Sequence, residues 1–210
     1  MSKAKRLLDL GCGYGWFEET LDAQLDLIAG IDCLIENKQP FLSTTAGKAR
    51  EVVFQNQRLP SKIDFADGYF DVAVCAYSLY FFPDVLPEVS RVLADNGTFI
   101  VITHSERMLE EGKAFFNFEN LHKIIKSFSA ENGEQLLRRN FSKVRALDYP
   151  NSLIFNRTEE DDLASYIEFK KEFISRDCDP TAVKQTMIRE LRKTGRLQFN
   201  KNDRIFFAAK

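Results

Sequence analysis

The residues best suited to chemistry stand in one run near the N-terminus, Asp9-Leu10-Gly11-Cys12-Gly13-Tyr14-Gly15, directly after the apolar pair Leu7-Leu8. An acid followed by alternate glycines is a backbone device: without a Cβ the chain turns sharply, adopts positive φ and lets a ligand approach the main chain. The spacing does not suit a dinucleotide fingerprint, because Trp16 stands where Gly-x-Gly-x-x-Gly needs its last glycine, and no Gly-Lys-Ser/Thr follows to cradle a triphosphate. A second acid, Asp32, closes the apolar run Leu27-Ile28-Ala29-Gly30-Ile31 at about the distance from the glycines at which a βαβ unit offers a carboxylate to ribose hydroxyls. Together these residues can hold a nucleoside, with main chain at one end and a carboxylate on the sugar.

Strands and helices must deliver those groups to one edge. Phe70 to Ala76 reads as a buried parallel strand after the Asp67-Gly68 turn. Leu86, Val89 and Leu93 have helical spacing up to a stop at Asn96-Gly97, and Thr98 to Thr103 reads as the next strand. With Glu51 to Gln57 as a third strand, residues 4 to 104 alternate strand and helix as in an α/β doubly wound sheet, whose ligands lie beyond the carboxyl ends of its strands. Val144 to Leu147 and Arg204 to Ala208 read as two last strands. Helices are expected around Leu121 to Ile125, from a Ser129 cap to about Arg139, and twice between Thr158 and Thr194, with Thr158 as a cap and the second helix spanning Thr181 to Thr194.

On the acid-x-Gly-x-Gly-x-Gly run, Asp32 and the stretch FDVAVCAYSLYFFPD…VLADNGTFIVIT, the chain resembles the class I S-adenosylmethionine-dependent methyltransferases. The resemblance implies a doubly wound, seven-stranded Rossmann-like sheet of order 3-2-1-4-5-7-6, its last two strands antiparallel. Helical insertions would follow the fifth strand and separate the last two. It implies S-adenosyl-L-methionine as cofactor and S-adenosyl-L-homocysteine as product. Asp9, Gly11, Cys12, Gly13 and Gly15 would hold its methionine part and Asp32 its ribose, with Cys33 alongside. Asn56 or Gln57 would take the adenine amine, and Cys75 and Ala76 would close the fourth strand beside it.

Methyl transfer from a sulfonium needs alignment and water exclusion more than a nucleophilic side chain, so no catalytic residue is assigned; His104 and Tyr80 are the candidates, His104 as a base. The acceptor is expected to be a small molecule with apolar or aromatic surface, walled by Tyr77, Tyr80, Phe81 and Phe82 after the fourth strand and by Phe115, Phe116 and Phe118 after the fifth. The fourth strand continues as Cys75-Ala76-Tyr77-Ser78, without the Asp/Asn-Pro-Pro-aromatic loop of adenine amino-methyltransferases, which argues against DNA adenine methylation.

A single domain over residues 1–210 is expected, with a cofactor core at 1–104 and substrate or lid insertions at 105–128 and 158–195. Little chain precedes the first strand, so cover for the cofactor is expected from those insertions or from a second copy in a homo-oligomer. At 210 residues and 44% hydrophobic the chain can bury a sizeable core. A net charge of −2 argues against a general polyanion-binding surface, so nucleic acid is not expected. No apolar stretch reaches membrane-span length and no signal-peptide pattern opens the chain, which predicts a cytoplasmic protein. Four scattered cysteines and two histidines predict neither disulfides nor a metal site. Two other readings stay open: an RNA methyltransferase, on the basic face Arg189, Arg192, Lys193 and Arg196, and a non-catalytic methyltransferase-like scaffold.

Overall fold

In the computed structural model, which describes residues 4–22, 24–117, 119–173 and 178–210, the apolar runs become parallel strands. These are β1 (Arg6–Leu10), β2 (Leu25–Asp32), β3 (Ala49–Asn56), β4 (Phe70–Ala76) and β5 (Leu93–Thr103). Leu8, Leu10, Ile28, Ile31 and Val74 are wholly buried because helices cover both faces, which is why these strands read as continuous apolar runs rather than alternating ones. Three short helices, α1 (Trp16–Glu19), α2 (Lys38–Thr44) and α3 (Leu86–Val92), lie between them. The start of β1 is pinned by Asp71, whose Oδ2 accepts the N–H groups of Lys5 and Arg6 at 2.8 and 2.9 Å.

The sheet is completed by β6 (Lys143–Tyr149) and β9 (Asp203–Ala209), in the order β3-β2-β1-β4-β5-β9-β6. The final strand thus runs antiparallel between β5 and β6, as the order 3-2-1-4-5-7-6 requires. The Asn96-Gly97 pair is not the helix stop that its composition suggests. The helix ends at Val92, and β5 begins at once: Phe70 pairs with Leu93 and Val72 with Thr98, so residues 94 to 97 form an irregularity in the ladder.

A second apolar cluster lies outside this sheet. It combines α4 (Glu119–Ile125), the ribbon of β7 (Ser152–Asn156) and β8 (Arg196–Asn200), and the helices α6 (Glu160–Lys170) and α7 (Pro180–Thr194). Its centre is Met108, Phe116, Ile125, Leu163, Met187 and Leu191. The ribbon has no counterpart in the sequence reading, because each arm has only five residues. Between α4 and β6 lies α5 (Gly133–Leu137). Its first turn is preceded by Ser129, whose Oγ accepts from Glu131 and Asn132 N–H, so Ser129 caps the approach rather than the helix. Thr158 makes no cap: α6 begins after Glu159, whose carboxylate instead accepts the Asn156 N–H at 2.6 Å. The cap of α7 is Asp179, which accepts from Thr181 N–H at 2.9 Å. Among the described residues no helix is long and apolar enough to cross a membrane.

The two clusters differ in what they hold up. Phe206 on β9 is fully buried and packs edge-on to Phe128, with ring centroids 6.1 Å apart. Phe206→Ala is expected to cost about 3–5 kcal/mol in urea denaturation, the range for emptying an aromatic core site. Leu147→Ala on β6, 55% exposed, should stay within about 0.5 kcal/mol of wild type.

Candidate functional site

The carboxyl ends of β1, β2 and β4 converge on the glycine turn. Gly11, Gly13 and Gly15 all have positive φ, at 70, 52 and 77°. A Cβ on Gly13 would meet no protein atom within 4 Å, so this glycine leaves open space rather than relieving a clash. At Gly11 a Cβ would sit 2.5 Å from Ser78 Oγ, which donates to Leu10 O and ties the turn to the end of β4. Asp32 at the tip of β2 supports the same turn: Oδ2 accepts Gly13 N–H at 2.9 Å and Oδ1 accepts Leu34 N–H at 2.8 Å.

Two cavities meet at Gly11 and Phe81. One, about 410 Å³, is walled by Asp32, Cys33, Leu34, Gln57, Leu59 and Phe82. The other, about 740 Å³, is walled by Asp9, Cys12, Gly13, Trp16, Ala76, Tyr77 and Phe169. Of the residues expected at the cofactor, Asp9, Gly11, Cys12, Gly13, Asp32, Cys33, Gln57 and Ala76 therefore line one cavity or the other. Gly15 lies behind the turn, donating to Cys12 O at 3.0 Å. Asn56 is turned to Asp32 O, and Cys75 is buried against Ser78 Oγ.

The aromatic residues divide. Tyr77, Phe81 and Phe82 wall the cavities. Tyr80 does not; it is 8% exposed in the main core, and burial pushes its hydroxyl pKa up, so it stays protonated. Phe115 and Phe116 are not brought to the site either: both pack in the second cluster, Phe115 edge-on to Phe199 at 6.4 Å. Apolar rings beside a buried helical layer gain more from core packing than from a cavity wall. Phe118 lies outside the described residues. Trp16, Tyr14 and Phe169, all strongly exposed at the mouth of the larger cavity, were not expected there. Phe169 carries a legible signal, since it stands off the stripe Leu163, Tyr166, Ile167 that α6 turns to the core.

Tyr77 follows β4 with φ 57°, a left-handed conformation that a bulky residue adopts only when its surroundings hold it. The hold is Asp203 on β9, which accepts Tyr77 Oη at 2.8 Å and Asn151 Nδ2 at 2.9 Å, both on Oδ2. Its other oxygen lies 2.7 Å from His104 Nδ1, and Tyr77 stacks on the imidazole with ring centroids 4.6 Å apart. Burial alone would raise the Asp203 carboxyl, but His104, Lys201 and the Tyr77 hydroxyl together outweigh it and the pKa is lowered. Asp203 is therefore an anion, so Nδ1 carries the proton and Nε2 the free electron pair. Burial lowers the His104 pKa against the pull of Asp203, leaving a neutral imidazole at physiological pH. Asp203 is the residue that sequence reasoning missed, because Lys201-Asn202-Asp203 has the composition of an exposed turn.

A glycine turn after the first strand, an acid closing the second and this strand order define the class I S-adenosylmethionine-dependent methyltransferases. The chain belongs to the methyltransferase-domain family, whose model matches residues 2–145. In structure it is similar to the YcgJ protein of Bacillus subtilis, with 20% identity, TM-score 0.63, and coverage of 98% of this chain and 92% of that one. A protein described as a methyltransferase from an antibiotic biosynthesis pathway of Anabaena variabilis gives 15% identity and TM-score 0.65, covering 100% and 92%. Geranyl diphosphate C-methyltransferase of Streptomyces coelicolor gives 16% identity and TM-score 0.52, covering 98% and 72%. At these identities the likeness is one of fold. No curated protein matches the sequence significantly.

The residues present fit a nucleoside bearing a sulfonium: the space left open at Gly13 admits it to the main chain, and Asp32 is already oriented by two N–H donors. Beneath the turn, Asp9 and Glu18 lie side by side, and no side chain other than Asp9 answers the Glu18 oxygens. Burial, then the Glu18 charge, pushes Asp9 well above the carboxylate range, and burial raises Glu18 as well, so the pair retains a proton. Above the ordinary carboxyl value near ~4 the unfolded chain releases a proton that the fold keeps, so stability falls as pH rises through the raised values. Glu18→Gln supplies a permanent donor and is expected to gain about 1–2 kcal/mol at pH 8, the scale of satisfying a buried polar group. The gain at pH 5 should be smaller. Calorimetric melts of both proteins at the two pH values test this, and equal gains would refute the shared proton.

Proposed function

We propose that the protein transfers a methyl group to an O, N or C nucleophile of a small molecule bound in the larger cavity, with His104 as proton acceptor and Asp203 as its positioning residue. One observation carries this reading. The His104–Asp203 contact stands against Tyr77, which walls the same cavity as the glycine turn. A cavity of about 740 Å³ with Tyr77, Phe81, Trp16 and Phe169 in its wall is of small-molecule size and suits an apolar or aromatic body.

The bound cofactor supplies an electrophilic methyl carbon on a positively charged sulfur. In the smaller cavity Asp32 would accept from the ribose hydroxyls. Gln57 would accept the adenine amine: its Nε2 is occupied by Ser61 Oγ and Lys62 O, both at 2.7 Å, which leaves Oε1 to receive. Tyr77 and Phe81 exclude water between the two cavities. An O or N nucleophile would give its proton to His104 Nε2 as its electron pair formed the bond to the methyl carbon, the pair of the broken bond leaving with the demethylated cofactor. The basic face of α7 is largely answered within the protein, Arg192 by a two-point pair with Glu160 at 2.6 and 2.8 Å and Lys193 by Glu190 at 3.7 Å. It is read here as a solvated helix face.

Two measurements test the reading. Calorimetry should detect S-adenosylhomocysteine binding but not NAD, with Asp32→Ala weaker by about 1–3 kcal/mol, the loss expected for hydrogen bonds to a charged acceptor. Comparable NAD affinity would refute it. The acceptor is identified by incubating the protein with a small-metabolite extract and methyl-labelled cofactor. With that acceptor, His104→Gln should lower kcat by about 10²–10⁴ while S-adenosylhomocysteine affinity stays within a few-fold. Because His104 acts neutral and burial sets its pKa below 6.5, kcat/KM of the wild type should fall only as pH drops through that lower value. An unchanged kcat in His104→Gln removes His104 as the base.

A further inference from the structure

Near Tyr77 and Phe169, two residues of the larger cavity's wall, stand two ammonium groups, and only one of them, Lys201, has an acid partner among the described residues. Lys170, the last residue of α6, has no carboxylate partner among the described residues. Its Nζ stands instead over three rings, 5.9 Å from the centroid of Tyr166, 5.1 Å from Phe169 and 5.4 Å from Phe173. Phe169 walls the larger cavity, so this cage is at its mouth. Lys201 lies 4.8 Å over the ring of Tyr77, itself a wall residue, and 3.4 Å from Asp203. The two charges act on each other and on His104: burial first, then Lys201, lowers the Lys170 pKa, and both lysines oppose protonation of the imidazole.

Charge balance indicates what is missing. Asp203 carries one negative charge, which Lys201 offsets, while Tyr77, Asn151 and His104 satisfy its oxygens. Lys170 is then one positive charge over, partly desolvated and facing another cation. Aromatic faces attract an ammonium but do not neutralise it. A single negative charge brought in by a ligand relieves both the burial and the repulsion.

We infer that the methyl acceptor is a monoanion, a carboxylic acid on an apolar or aromatic body, whose carboxylate is held by Lys170 and Lys201 at the mouth of the larger cavity. This rests on the methyltransferase reading above and names the acceptor class of the same site. The carboxylate is a handle and not the methylated atom. Attack by an already ionised carboxylate releases no proton and leaves the His104–Asp203 pair without a task, so the nucleophile is a second group on the same molecule. The aromatic rim of Trp16 and Phe169 takes the body that joins them.

The test uses the protein saturated with S-adenosylhomocysteine and three probes sharing one ring: phenylacetate, neutral phenylacetamide and dianionic phenyl phosphate. Phenylacetate is expected to bind at least about tenfold more tightly than the amide by calorimetry, a difference that added salt reduces. Lys170→Met keeps the length and apolar character of the side chain within the cage. It should bring the two probes to within about twofold of each other, with S-adenosylhomocysteine affinity and melting temperature unchanged. Lys193→Met, on the outer face of α7, should keep the preference. Equal binding of acid and amide by the wild type, or a preference that survives Lys170→Met, overturns the inference. Tighter phenyl phosphate overturns the monoanion and assigns the lysines to a phosphate ester. Loss of S-adenosylhomocysteine binding itself counts against the methyltransferase reading, which keeps the two failures apart.

Discussion

A carboxylate that is wholly removed from water must be answered by donors, and Asp203 is answered from four separate parts of the chain. Tyr77 comes from the end of β4, His104 from the end of β5, Asn151 from the turn before β7, and Lys201 from the turn before β9. Leaving such a group unpaired costs several kcal/mol, so each of these segments is fixed in place by the same demand. That demand also explains a Tyr77 backbone outside the comfortable region. The strain is tolerated because the phenol reaches the carboxylate, and the ring is thereby held against the imidazole while it also walls the larger cavity.

The opposite wall obeys a different constraint. At the glycine turn the main chain itself borders the cavity, and side chains hold the turn in place: Asp32 through two N–H groups, Ser78 through Leu10 O. One wall is thus rigid backbone with little side-chain freedom, while the other is a polar cluster assembled around one buried charge. Binding of the nucleoside and handling of the acceptor's proton can be served by separate parts of the fold. Tyr77 and Phe81 stand where those parts adjoin.

Much of this was legible in the sequence, for reasons that differ by region. The first hundred residues declare themselves because parallel strands buried on both faces must be apolar throughout and because positive φ selects glycine. On those grounds Gly13 falls in the turn, and with the strand ends fixed Asp9 and Asp32 fall beside the cavities. Beyond residue 104 the pattern carries less. Phe115 and Phe116 read equally well as cavity wall or core, and local spacing cannot separate the two. The five-residue arms of β7 and β8 are too short for a period to emerge. Asp203 was hidden because its role depends on partners up to 126 residues away, a relation created only by the sheet order.

The position of β9 bears on how the molecule comes into being. It follows every other strand along the chain, yet it fills the slot between β5 and β6. During synthesis β5 and β6 are made first, and each waits with an open row of main-chain donors and acceptors, the kind of edge that recruits other chains. Asp203 arrives on that same late strand. A nascent chain can therefore assemble the half that carries the glycine turn before it owns the half built around Asp203, and the act that seals the sheet is also the one that completes that buried cluster.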